Sequence, residues 1–146
     1  MLWKTICVSV ISLLMAACAA QLPVRCDPAL YTHCYKGFDL DVAWKTRRDG
    51  ANLAVLGAIT NNRNEFLRDL ELTVTLLDDQ GKKLSSADFM FIPNIIRLDE
   101  IKPFGLMLTV PPGSAPQRLK FRYSYYQTGN GIGFHLPFFY EFEADL

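Results

Sequence analysis

The sequence has no excess of charge of either sign and few of the side chains that metal sites require. Its 146 residues include 15 basic and 15 acidic side chains but only two histidines. A nucleic-acid-binding domain normally has a basic excess, so we expect no nucleic-acid partner. The four cysteines form neither a C-x-x-C pair nor the C-x-x-C-H of haem attachment. Their spacing therefore predicts no metal site, no haem and no redox-active pair.

Motifs that catalysis would need are also missing. The serines at 85, 86, 114 and 124 do not stand in a G-x-S-x-G sequence, which marks the nucleophile of many hydrolases. The glycine-rich residues 129–133 lack the following lysine and helix of a phosphate-binding loop. We therefore expect a protein that is not an enzyme and that holds no cofactor.

A long apolar run occurs only near the N-terminus. Residues 5–17 are apolar or small and follow Lys4, the only charged residue before Arg25. These 13 residues are too few for a transmembrane helix, which needs ~20, but they suit the apolar region of a signal peptide. We interpret residues 1–17 as a signal peptide that is removed on export.

The end of this segment, L-M-A-A-C at 14–18, resembles a bacterial lipobox. The resemblance implies that Cys18 is acylated and becomes the first residue of a mature lipoprotein. Ala19 follows the cysteine in place of aspartate, which by the same resemblance implies an outer-membrane anchor and a domain facing the periplasm. Ordinary signal-peptidase cleavage within Ala17-Cys18-Ala19 is the alternative.

Two cysteines remain in the exported chain once the signal peptide and the lipid site are set aside. An even pair in an exported protein indicates a disulfide, here between Cys26 and Cys34, and Pro28 between them permits a turn. Residues 18–36 show no regular period. We interpret them as a tether and a disulfide-stapled lead-in to a domain that spans residues 37–146.

From residue 37 onwards apolar residues recur at every second position, which is the period of a half-buried β-strand. Phe38, Leu40, Val42 and Trp44 alternate with polar or small residues. Residues 53–59 are apolar on both faces, which predicts a central strand covered on both sides. Residues 95–103 are ambiguous between a short strand and a helical turn. Further alternating segments occur at 70–76, 82–92, 104–110, 119–125 and 134–144.

These segments predict an all-β fold with seven or eight short strands. Parallel strands need long crossover connections, which the turns between these segments do not provide, so antiparallel pairing is expected. Short strands at this spacing favour an antiparallel β-sandwich of the immunoglobulin-like type. A small closed barrel is the alternative.

Three stretches of the domain also resemble a known family. V-L-G-A-I-T-N at 55–61, L-E-L-T-V-T-L-L-D-D-Q-G-K at 70–82 and I-K-P-F at 101–104 are similar to the FxLYD-type domains of bacterial envelope proteins. The resemblance implies an immunoglobulin-like sandwich related to late-embryogenesis-abundant modules, and no catalytic residue. In physical terms, Gly57 permits a close approach, Asn61 can cap a strand end, and Asp78 and Gly81 bracket a tight turn.

Aromatic residues are concentrated near the C-terminus, where half of them lie within residues 121–146. Tyr126 and Phe139 fall on the opposite strand face from their neighbours Tyr125 and Phe138, so they are candidates for a partner surface. We expect a membrane-anchored, non-catalytic interaction or assembly module that binds another envelope protein through a sheet face or edge. The alternative is a small-ligand or lipid-binding sandwich with the C-terminal aromatics lining a cavity.

Overall fold

The computed structural model describes residues 25–128 and 137–146, which form nine β-strands and no helix. No helix of these residues is long and apolar enough to cross a membrane. Cys18 lies outside the described residues. The strands are β1 (His33–Lys36), β2 (Leu40–Asp49), β3 (Asn52–Asn61), β4 (Phe66–Asp78), β5 (Lys83–Met90), β6 (Ile95–Ile96), β7 (Ile101–Thr109), β8 (Pro116–Thr128) and β9 (Pro137–Asp145).

The strands form two antiparallel sheets that pack face to face. Sheet A has the order β1-β2-β3-β7, and sheet B has the order β5-β4-β8-β9, with β6 paired to β4 beyond the end of β5. On one side β5 and β7 lie against each other. On the other side Tyr35 of β1 stacks on Phe142 of β9 at 3.8 Å between ring centroids. The predicted antiparallel β-sandwich is confirmed, with nine strands in place of the seven or eight expected.

The core lies between the sheets and follows the alternation seen in the sequence. Buried apolar side chains from both inner faces meet there, and most polar positions of the strands face outward. The predicted central strand is confirmed, since β3 lies between β2 and β7 and both of its faces are largely covered. The buried core residues include Val42, Trp44, Val55, Ile59, Leu72, Val74, Leu76, Phe104, Leu106, Leu108, Leu119, Phe121 and Tyr123.

The predicted strand-end cap at Asn61 and the predicted turn at Asp78 are both confirmed. The side-chain amide of Asn61, which is fully buried, donates to the carbonyl oxygens of Glu65 and Ile96, both at 3.1 Å. Asn61 therefore joins the end of β3 to the start of β4 and to β6. At Asp78 the carboxylate accepts from the backbone N–H groups of Gln80 (3.0 Å) and Lys82 (2.8 Å) and closes the β4–β5 turn.

Two strands lie where the sequence indicated no clear period. The lead-in, predicted to be irregular, contains β1, which adds His33–Lys36 to the edge of sheet A. The ambiguous residues 95–103 contain β6 and the start of β7, and no helical turn. Both strands form because they pair with a longer neighbouring strand. A local hydrophobic pattern carries no information about such pairing.

The loops gather at two ends of the sandwich. The first carries the loops 37–39, 62–65 and 91–100, and we call it the Arg25 end because Arg25 contacts the second and third of these loops. The second, the far end, carries the turns 50–51 and 79–82 and the loop 110–115.

The prediction that Phe38 lies on the buried face of a strand is wrong. Strand β2 begins only at Leu40, and Phe38 lies in the β1–β2 loop with 80% of its surface exposed. Its ring contacts the Arg63 guanidinium, whose carbon lies 4.6 Å from the ring centroid. The alternation in the sequence therefore extends beyond the first residue of β2 into the preceding loop.

Candidate functional site

The Cys26–Cys34 disulfide is present, as predicted, with 5.6 Å between the two Cα atoms. It holds residues 25–32 against the outer face of sheet A. There Leu30 and Tyr31 lie over Ala43 and Ala58 around a cavity of about 30 Å³. This cover explains why the outer positions of β2 and β3 are buried although they belong to a two-layer sandwich.

Arg25 attaches this lead-in to the loops of one end. Its guanidinium donates to the side-chain oxygen of Asn62 at 2.9 Å, forms an ion pair with Asp99, and lies 4.0 Å from the carboxylate of Asp41. Asp41 also accepts from the side-chain amide of Asn62 at 2.7 Å. Asp41 is buried on the outer face of sheet A because the lead-in covers it, and these partners satisfy its charge.

The two residues predicted to form a partner surface, Tyr126 and Phe139, lie on the outer face of sheet B. They are 39% and 58% exposed. Tyr126 pairs with Pro137 and Phe139 with Ser124, so the two side chains are diagonal neighbours on adjacent strands. The structure thus places them together, near the Arg25 end of this face.

Two further exposed apolar residues, which sequence reasoning missed, lie on the same face but are separated from Tyr126 and Phe139 by Arg68 and Glu71 of β4. Met90 of β5 and Ile95 of β6 are exposed on the same face. Glu71 lies opposite Met90 and Ser124, and Arg68 lies opposite Ile95 and Tyr126, so the four apolar residues occupy two rows that cross sheet B. We call Met90, Ile95, Tyr126 and Phe139 the apolar band. Their proximity depends on strand order, which carries no local sequence signal.

The remainder of the outer face is polar and charged. Cross-strand ion pairs join β8 and β9, with Lys120 bonded to Glu141 at 2.9 Å and Arg118 to Glu143 at 2.8 Å. Arg122 lies on the same face, with its guanidinium carbon 5.3 Å from the Phe139 ring centroid, and it pairs with no carboxylate among the described residues. Arg122 therefore borders the apolar band with a cation.

Strand β9 forms one edge of sheet B, and its inner face continues the aromatic core outwards. The rings of Phe138, Tyr140 and Phe142 stack on those of β8, at centroid distances of 5.4, 5.6 and 4.9 Å from Tyr125, Tyr123 and Phe121 respectively. Phe138 and Tyr140 stay about half exposed, because no strand of the described chain lies beyond β9. The rings contact one another, an arrangement different from the lined cavity of the ligand-binding alternative.

Three tyrosines of this region, Tyr35, Tyr123 and Tyr125, have a raised pKa and stay protonated at neutral pH. Burial, together with the hydrogen bond that the Tyr35 hydroxyl donates to Tyr140, raises the pKa of Tyr35 to about 12. Burial also raises the pKa of Tyr123, and that of Tyr125 with a further contribution from its hydrogen bond to Asp39. Their hydroxyl groups therefore act as neutral hydrogen-bond donors and not as phenolate nucleophiles or bases.

The described residues contain no group of three or more acidic, histidine or cysteine side chains arranged to hold a metal ion. His33 instead stacks on Trp44, with 5.2 Å between the ring centroids. His135 lies outside the described residues. Among residues 25–128 and 137–146, the apolar band is therefore the candidate site.

Comparison with known proteins gives fold likenesses only. No family model matches the chain, and no curated protein matches its sequence. The yeast GGA1 GAE domain is 13% identical over 78% of this chain and 97% of its own, with a TM-score of 0.46. R. palustris CsgH is 13% identical over 73% and 91%, with a TM-score of 0.35. A β-glucuronidase of glycoside hydrolase family 2 is 10% identical over 60% of this chain but only 9% of its own, with a TM-score of 0.39.

These likenesses are too low to indicate a shared activity or partner. The assignment of the fold rests on the two sheets and their strand order.

Proposed function

We propose that this chain is a lipid-anchored lipoprotein of the bacterial outer membrane, with an FxLYD-type domain that binds another envelope protein without catalysis. The lipobox-like residues 14–18 support the anchor through Cys18. The observation that carries the binding function is the apolar band. An exposed apolar surface beside polar and charged residues is typical of a protein-interaction site.

The edge of β9 borders this band and suits the addition of a strand from the partner. An added strand would cover the half-exposed rings of Phe138 and Tyr140 on the inner face and lie beside Glu141 and Glu143 on the outer face. The proposed partner is therefore an extended segment in which apolar and basic residues alternate.

A second copy of this chain fits the edge less well. Antiparallel pairing of two β9 strands about their centre would place Glu141 opposite Glu141. Like charges directly opposite each other destabilise strand pairing. A basic segment from a different protein avoids this repulsion.

Photo-crosslinking in intact cells tests the binding surface. A photoreactive phenylalanine analogue replaces Phe139 in one variant and Ser86 in a matched control, since Ser86 is exposed on the same sheet face but outside the apolar band. We expect a discrete protein adduct from position 139 that position 86 does not give. Equal adducts at both positions, or none at 139, would contradict the proposal.

The intact mass of the membrane-extracted protein tests the anchor. We expect a chain that begins at Cys18 and carries acyl groups, because the lipobox resemblance implies this modification. A mature chain without lipid would show ordinary signal-peptidase cleavage and remove the membrane anchor from the proposed function.

A further inference from the structure

We propose that the Arg25 end of the sandwich rests on the membrane surface, with Phe38, Ile92 and Leu98 inserted among the lipid headgroups. The inference deepens the proposed function and rests on it in one respect, the acylation of Cys18. It names a second surface, separate from the apolar band, whose partner is a lipid bilayer.

Exposed apolar side chains are distributed unequally between the two ends. Phe38, Ile92 and Leu98 come from three segments of the Arg25 end and are 80%, 89% and 43% exposed. Among the described residues, the far end exposes Leu146 and, near the end of β7, Met107, while its turns present residues such as Asp79 and Gln80. Exposed apolar side chains are unfavourable in water, so their concentration at the Arg25 end indicates that a partner covers this end.

The tether leaves the domain at this same end. Arg25 is held there by Asn62 and Asp99, which belong to two of its loops. Cys18 precedes Arg25 by seven positions, and a fully extended chain of that length spans about 25 Å. An acylated Cys18 therefore keeps the Arg25 end close to the bilayer, whereas the far end lies a strand length away.

The shortness of the tether identifies the lipid bilayer as the surface that the Arg25 end contacts. Strands β4 and β8 each have 13 residues, so the sandwich is about 43 Å long at ~3.3 Å per residue. The reach of the tether is shorter than this length. A short tether and an apolar end on the same side of the domain hold the exposed loops at the depth where aromatic and aliphatic side chains partition into headgroups.

Charges at this end do not drive the contact. Asp39 and Glu65 lie near Arg63, at 3.8 and 3.3 Å, and Lys102 pairs with Glu100 at 2.8 Å. Because these charges are largely paired within the domain, we expect the membrane contact to change little with salt. Insertion of apolar side chains is the main attraction.

Depth-dependent fluorescence quenching tests the orientation on the full-length protein. Ile92→Cys places a thiol at the Arg25 end, and Gln80→Cys places the matched control at the far end; both side chains are exposed. Each protein is extracted from membranes, labelled with an environment-sensitive dye and reconstituted into phosphatidylethanolamine–phosphatidylglycerol vesicles with brominated acyl chains. We expect emission at position 92 to fall at least about two-fold and emission at position 80 to stay unchanged.

The outcomes separate this inference from the proposed function. Intact mass on the same samples reports acylation directly. An acylated protein whose label at 92 is not quenched overturns the membrane-facing end but leaves the anchor in place. An unacylated protein contradicts the anchor; quenching at 92 would then still support the lipid-binding surface, and its absence would overturn both.

Discussion

At Gly57 the ring of Phe104 and the backbone oxygen of Ala43 lie so close that a side chain has no room. A Cβ atom at this position would lie 2.5 Å from Cζ of Phe104 and would also meet the backbone oxygen of Ala43. The prediction that this glycine permits a close approach is therefore confirmed. The buried position and the rigid neighbours leave little scope for relaxation.

We expect Gly57→Ala to lower the free energy of unfolding by about 1–3 kcal/mol, the usual cost of overpacking a core. Gly105→Ala is the matched control on the neighbouring strand, because its Cβ would meet only the flexible end of Leu56, at 3.3 Å. Urea denaturation of the two variants measures both effects. An equal loss in the two proteins would show that a general strand preference, not the contact with Phe104, makes glycine necessary at position 57.

Glu100 provides a residue-scale test of pH dependence. Its carboxylate accepts a hydrogen bond from the backbone N–H of Arg97 at 2.8 Å and pairs with Lys102, and these interactions lower its pKa below the ordinary value of 4.5. A carboxyl group whose pKa is lowered by folding stabilises the folded state above its unfolded pKa. That contribution is lost as the pH falls through the folded-state pKa.

We therefore expect Glu100→Gln to lower stability by on the order of 1 kcal/mol at neutral pH, because a charge-assisted hydrogen bond becomes a neutral one. The difference between the two proteins should shrink below about pH 4.5, where the carboxyl group of the parent protein becomes protonated. Thermal unfolding from pH 3 to pH 7 measures it. A difference that does not depend on pH would indicate lost packing in place of lost charge.

At the scale of elements, the disulfide determines whether the lead-in forms a cover over sheet A. The amides of Leu30 and Tyr31 donate to the carbonyl oxygen of Asp27 at 3.0 and 2.9 Å, within the loop closed by Cys26 and Cys34. Replacing both cysteines by serine should lower the free energy of unfolding by about 2–3 kcal/mol on the loop-closure model.

Hydrogen exchange distinguishes a local effect from a global one. In the double-serine variant we expect the Leu30 and Tyr31 amides to lose protection under native conditions, while the amides of β3 keep theirs. An equal loss of protection in β3 would show that the sheet itself depends on the disulfide, contrary to this expectation.

Elements with a strong two-residue period were predictable from the sequence, and elements without one were not. Strand β4 alternates over its whole central part and is present as predicted. Strands β1 and β6 have four and two residues and exist because a long neighbour offers free backbone groups. At Phe38 the sequence pattern predicted a strand residue where the structure has a loop, since the alternation continues into a turn.

At the scale of the whole molecule, the candidate site was predicted only in part. The two-residue alternation of the sequence predicted the face on which Tyr126 and Phe139 lie, because both residues belong to strands with clear alternation. Met90 and Ile95 join them only through the order β5-β4-β8-β9, which arises from long-range pairing. The division of loops between two ends likewise follows from topology, so the apolar Arg25 end could not be seen in the chain itself.

The disulfide also determines how a pulling force enters the domain. Tension applied to the chain before Cys26 passes through the sulfur atoms to Cys34 and bypasses residues 27–33. Without that bond the force could pull those seven residues out of the fold first, which would lengthen the extended N-terminal segment by roughly 24 Å. With that bond, residues 27–33 carry no load, and only the chain before Cys26 can extend ahead of the sheets.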